Sequence, residues 1–188
     1  MKRGLYLAPF DEFANPRLLA DLARAAESVG WDGLFLWDRI AYPPRERPVA
    51  DPWVALSAIA SVTETLRLGP MKQLGGFWSG GFRPLPVQSP RIPVWVAASW
   101  PNRRPVRRAI RWDGLFPIDL PGPEGLAELA EEVRQARAGS DAPFDLVVEV
   151  PPGGDVHAWE AAGATWALTS IDPQPSEPEV RAVVDAGP

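Results

Sequence analysis

Two places along the chain bring together residue types that can handle an anion or a polar ligand. The first is Trp37-Asp38-Arg39, which closes the apolar run Asp32–Asp38 (DGLFLWD). A carboxylate at the end of such a run can contact a ligand or cap the next turn, and Asp38 supports both readings. The second is Ala97-Ala98-Ser99-Trp100-Pro101-Asn102-Arg103-Arg104, an apolar strand turning into an arginine-rich helix. A turn of this kind presents free N–H groups and the positive end of the helix dipole to an anion, and two arginines add bidentate donors for phosphate. Arg103, Arg104, Arg107 and Arg108 also stand at i, i+4 spacing, the usual mark of a solvated face, so the phosphate reading concerns only the first two.

Other chemistries are poorly supplied. The chain has no cysteine and one histidine, His157, which has no second histidine or carboxylate at ligand spacing. Thiolate nucleophiles, thiolate zinc sites and a serine-histidine-aspartate arrangement are therefore not expected, and no metal is assigned. Glu149, near the end of the apolar segment 144–150, faces the expected mouth of the fold either as a solvated group or as a base. Of the nine tryptophans, Trp37 and Trp100 lie at strand ends where an aromatic pocket is possible, while core packing is the default for Trp53, Trp112, Trp159 and Trp166.

These residues are positioned by a repeating pattern. Arg3–Phe10 is a buried-type strand; Asn15-Pro16 then supplies a helix cap and first-turn proline, and Leu18, Leu19, Leu22, Ala25, Ala26 and Val29 follow at helical spacing up to Gly30. Asp32–Asp38 and the helix opened by Asp51-Pro52 repeat the device. Further strands are expected at 66–71, 92–98, 113–118, 144–150 and 165–170, with helices around 103–112, 125–137, 156–162 and 177–184. Uniformly apolar strands alternating with helices pair in parallel, and a single α/β barrel of the TIM type over residues 1–188 is the economical architecture. A full barrel has eight units in about 250 residues, so seven strands are expected here, with one βα unit missing where the glycine- and proline-rich stretch 72–90 replaces a helix.

With 19 basic against 24 acidic residues the net charge is −5, and the only basic cluster is local, so no nucleic-acid partner is expected. No run of about 20 apolar residues and no signal-type block is present, which makes a soluble, cytoplasmic protein without a membrane partner the expectation.

Four segments in order, GWDGLFLWDR (30–39), ADPWVALSAIA (50–60), LRLGPM (66–71) and PVQSPRIPVWVAASWPNRRPVRRAIRWDGLFPI (86–118), resemble the luciferase-like monooxygenase family. That resemblance implies an oxidoreductase acting on a small-molecule substrate, with FMN or the deazaflavin coenzyme F-420 at the carboxyl ends of the barrel strands. It implies that Trp37, Asp38 and Arg39 lie beside the ring, and that Gly69-Pro70-Met71 supports the back of the ring through a backbone bulge. Ala97, Ala98, Ser99, Trp100, Asn102, Arg103 and Arg104 would hold the phosphate. Relatives more often carry histidine where Arg39 stands, and Arg39 is the residue assigned to polarise an oxygen or an anionic substrate. The block absent after 71 would have contributed pocket wall, which keeps a non-catalytic binding or scaffold protein as the alternative. Phe77, Trp78 and Phe82 in that stretch are candidates for a homodimer contact.

Overall fold

The computed structural model describes residues 1–38, 47–71 and 93–188. They contain seven strands alternating with helices, the α/β class of the TIM-type barrel. The elements are β1 (Lys2–Leu7), α1 (Pro16–Ser28), β2 (Gly33–Trp37), α2 (Pro52–Ala60), β3 (Arg67–Met71), β4 (Trp95–Ser99), α3 (Arg103–Ala109), β5 (Gly114–Ile118), α4 (Pro123–Ala136), β6 (Asp145–Val150), α5 (His157–Ala161), β7 (Trp166–Ser170) and α6 (Glu177–Ala186). The unit expected to be missing at 72–90, and with it Phe77, Trp78 and Phe82, falls outside the described residues.

The chain divides into two compact units. The first contains β1, β2, β3 and β7 with α1, α2 and α6, and its strands run in the order β3-β2-β1-β7, all parallel. Asn15 caps α1 by accepting the Arg17 N–H at 3.0 Å, and Asp51 caps α2 by accepting the N–H groups of Trp53 and Val54 at 2.9 and 3.1 Å. One strand face carries Leu5, Leu7, Leu34 and Leu36 into a core shared with Leu19, Leu22, Leu56, Ile59 and Val184 from the helices. Each such side chain contributes about 1.5–3 kcal/mol when fully buried. On the other face Phe35 meets the Trp166 ring edge-on, with centroids 5.7 Å apart. Gly4 and Gly33 make room for it, because a Cβ would come within 3.0 Å of the Phe35 ring from Gly4 and 2.8 Å from Gly33.

Glu27, at the end of α1, closes this unit's α2–β3 turn. Its carboxylate accepts the N–H groups of Glu64, Thr65 and Leu66 and the Thr65 hydroxyl. Those donors, the Thr65 N–H first, lower its pKa from 4.5 to about 2.

The second unit holds β4, β5 and most of β6 with α3, α4 and α5, its strands parallel in the order β6-β5-β4. Leu126, Leu129 and Val133 form the buried stripe of α4. The Trp95 indole N–H donates to Asp145 at 2.9 Å, joining the first residues of β4 and β6.

Two of the tryptophans expected in the core are not there. Trp166 is buried at 1% exposure, but Trp53 is 58% and Trp112 40% exposed. On α2 the side facing the core is taken by Pro52, Ala55, Leu56 and Ile59, which leaves Trp53 and Val54 on the outer side.

Candidate functional site

In barrel enzymes the chemistry sits at the carboxyl ends of the strands, and each unit offers one group of predicted residues there. In the first unit Trp37 is the last residue of β2, half-buried, with its ring centroid 5.7 Å from that of Tyr6 at an interplanar angle of 40°. Tyr6 was not singled out in the sequence. The pairing depends on register, since Tyr6 stands opposite Phe35 in the β1–β2 ladder and Trp37 lies two residues on, on the same face. Asp38 follows Trp37 and is half-buried. Arg39 lies outside the described residues.

Pro70 and Met71 end β3, opposite Leu36 and Trp37. Where strained backbone is expected at Gly69-Pro70-Met71, the ladder runs residue for residue from Gly33 opposite Arg67 to Trp37 opposite Met71, and the cis peptide bond among the described residues is at Trp100-Pro101. Bulges place two residues against one, and nothing of that kind interrupts these five pairs.

A further charged group in this unit escaped the sequence reading. The Arg47 side chain is only 6% exposed; its guanidinium pairs with Asp11, lies 4.8 Å over the Phe10 ring, and donates to the Pro173 carbonyl at 3.4 Å. Asp11 has a left-handed backbone (φ 53°), and the 9–11 segment is tied to 48–50 by the bonds Asp11 N–H to Pro48 O and Ala50 N–H to Pro9 O. The proline-rich stretch before Arg47 gave no periodicity from which its burial could be read.

In the second unit Ala98 is buried, Ala97 half-buried and Ser99 exposed, as alternation along β4 requires. The chain then turns through Trp100 and a cis peptide to Pro101, with the Trp100 N–H donating to Ile118 O and the Asn102 N–H to Ser99 O. Asn102 caps α3, accepting the Arg104 N–H at 3.1 Å, and this capping bond uses one of the backbone donors that the phosphate reading had made available. Arg103 is committed in two directions. Its Nη2 donates to Glu128 at 3.1 Å, its Nε lies 3.5 Å from Glu132, and the guanidinium carbon stands 4.4 Å over the Trp100 ring. Its Nη1 remains buried without an acceptor among the described residues. Arg104 is exposed and has no acidic partner among those residues.

An unsatisfied buried donor costs about 1–3 kcal/mol, more if charged, so Arg103 Nη1 is the atom in this turn that would gain most from a ligand oxygen. Arg104 and the exposed Ser99 hydroxyl are the other side-chain donors of this turn. Glu149 is exposed near the end of β6, and His157 opens α5, also exposed. Among the described residues no helix is long and apolar enough to cross a membrane.

Comparison with known proteins bears on the fold and on the family. The chain is similar to an F420-dependent secondary alcohol dehydrogenase solved with an F420–acetone adduct, with a TM-score of 0.67 and 10% identity, over 98% of this chain and 96% of that one. It is similar to the coenzyme F420-dependent tetrahydromethanopterin reductase of Methanopyrus kandleri, with a TM-score of 0.56 and 9% identity, over 98% and 97% of the two chains. The tryptophan synthase alpha subunit of Legionella pneumophila shares the fold as well, with a TM-score of 0.60 and 12% identity, over 98% and 90%. At such identities these likenesses concern fold alone. No curated protein matches the chain. Residues 4–75, which run from β1 through β3 and include Trp37, Asp38, Pro70 and Met71, match the luciferase-like monooxygenase family, and it is to that family that the resemblance seen in the sequence is assigned.

Proposed function

We propose that this chain is a luciferase-like oxidoreductase that uses a flavin or deazaflavin on a small-molecule substrate, with the cofactor at the carboxyl ends of the strands. The observation that carries this reading is the family match over residues 4–75. Fold likeness to two F420-dependent enzymes favours coenzyme F-420 over FMN. The cofactor, when bound, supplies the redox chemistry, and the protein's part is to bind, orient and exclude water. Tyr6 and Trp37 give an apolar wall suited to a planar ring. Ser99, Arg103 through Nη1, and Arg104 are the donors for a phosphate. Arg39 is assigned to a substrate oxygen or anion. A cytoplasmic setting agrees with the absence of cysteine, and a homodimer through Phe77, Trp78 and Phe82 belongs to the same reading.

The test is a titration of the purified chain with F-420 and, separately, with FMN, followed by absorbance and fluorescence. Saturable binding of F-420 in the micromolar range is expected, weakened about tenfold or more in R103Q/R104Q, since a hydrogen bond to a charged group contributes about 1.5–3 kcal/mol. Failure of both cofactors to bind at millimolar concentration would leave the non-catalytic barrel as the better reading.

A further inference from the structure

Among the described residues, three helices pair an arginine with an acid one turn away: Arg24 with Asp21 on α1, Arg134 with Glu131 on α4, and Arg181 with Glu177 on α6. The segment 103–112 (RRPVRRAIRW) breaks that habit, with five arginines and no acid. Arg103 is neutralised from α4. Arg104, Arg107 and Arg111 are exposed and have no acidic partner among the described residues. Arg104 and Arg107 stand one turn apart on α3 as like charges, and Arg111 lies in the turn that follows the helix. Like charges at this spacing destabilise a helix. The sequence carries that local cost in a chain whose net charge is −5.

Trp112 follows Arg111 in the chain, and it and Val94 are exposed large apolar side chains of the second unit. They are brought together at the amino-terminal ends of β4 and β5 by the bond from Asp113 N–H to Val94 O. This is the end of the strands away from the candidate cofactor residues. All the cations here are arginine and none is lysine, and the aromatic is tryptophan. Arginine and tryptophan are enriched at the centres of protein interfaces while lysine is depleted. We infer that Arg107, Arg111 and Trp112 form a docking surface for an acidic peptide segment of a partner protein, through guanidinium–carboxylate pairs around an apolar contact.

The experiment is an anisotropy titration of the full chain against a fluorescein-labelled peptide of ten glutamates. Saturable binding is expected at low salt, falling several-fold when ionic strength rises from about 0.05 M to about 0.2 M. R107E/R111E should weaken it about tenfold or more, while R17E/R24E, which changes the net charge equally on the other unit, should change it less than about threefold. If the charge-reversed protein is misfolded by circular dichroism, R107Q/R111Q gives the same comparison with a milder change. Absence of saturable binding, equal loss in the two double variants, or tighter binding to phosphatidylserine vesicles or duplex DNA than to the peptide would each overturn the inference.

Discussion

The sequence Trp-Asp-Gly occurs twice, at 31–33 and at 112–114, and it opens a strand in each unit. The backbone geometry is repeated almost atom for atom. Asp32 donates its N–H to Arg3 O at 2.8 Å and accepts the Arg3 N–H on its carboxylate at 2.7 Å. Asp113 does the same with Val94, at 3.1 and 2.6 Å. The glycine that follows sits against the next strand in both, where a Cβ would meet Arg67 O at 2.9 Å or Asp145 O at 2.7 Å. The tryptophans then part company. Trp31 is 4% exposed, and its indole donates to Val184 O of α6 at 3.1 Å, whereas Trp112 is 40% exposed. An identical local motif therefore specifies the strand entry, and a distant helix decides whether its aromatic becomes core.

The sharpest way to break this comparison is to remove both rings. Trp31→Ala should cost about 3–5 kcal/mol, the range for a buried aromatic, while Trp112→Ala should stay near the ±0.5 kcal/mol of ordinary surface changes. Urea unfolding of the two variants measures the difference, and equal losses would mean that α6 does not create it. The glycines should instead behave alike. Gly33→Ala and Gly114→Ala each force a methyl against a backbone carbonyl and a ring, with about 1–3 kcal/mol expected from overpacking and the larger loss at Gly114, where the ring and the carbonyl would be 2.6 and 2.7 Å away against 2.8 and 2.9 Å at Gly33. Thermal melts of the pair check both the likeness and the order.

The smallest effect separates the units by pH. The first unit's turn is held by the Glu27 carboxylate on N–H groups; the second is held by Arg137, which donates to the Ile110 and Ala142 carbonyls at 2.8 and 2.9 Å. Glu27 titrates lower folded than unfolded, so its contribution is complete above pH 4.5 and is lost as pH falls toward about 2. Glu27→Gln should therefore be less stable than the natural protein above pH 4.5 and converge with it by pH 2, and hydrogen exchange should show the loss at 64–66 and not at 110–112.

The parts that were legible from the sequence were local. Continuous apolar runs marked all seven strands, and Asn15 and Asp51 announced their helices because a cap needs only its own next few residues. What could not be read depended on partners far along the chain. Arg103 looked free because Glu128 and Glu132 lie 25 and 29 residues on. The sequence of α2, PWVALSAIA, is so evenly apolar that it has no period to say which side Trp53 takes. The Tyr6–Trp37 contact follows from ladder register, which a single strand does not encode. Asn102, read with the phosphate-holding turn, also caps its own helix as Asn15 does, a use that the same residue type announces elsewhere in this chain.

Gly4, Gly33 and Phe35 occupy one shared volume, with the ring filling what two absent side chains leave. These three positions are therefore a single heritable unit. A smaller ring would admit a methyl at Gly4 once Leu168 also gives way, whereas at Gly33 the Arg67 carbonyl at 2.9 Å would still exclude one, and shrinking the ring alone leaves a void. Drift at any one of them is held back by the other two, although 29 residues separate the two glycines in the chain.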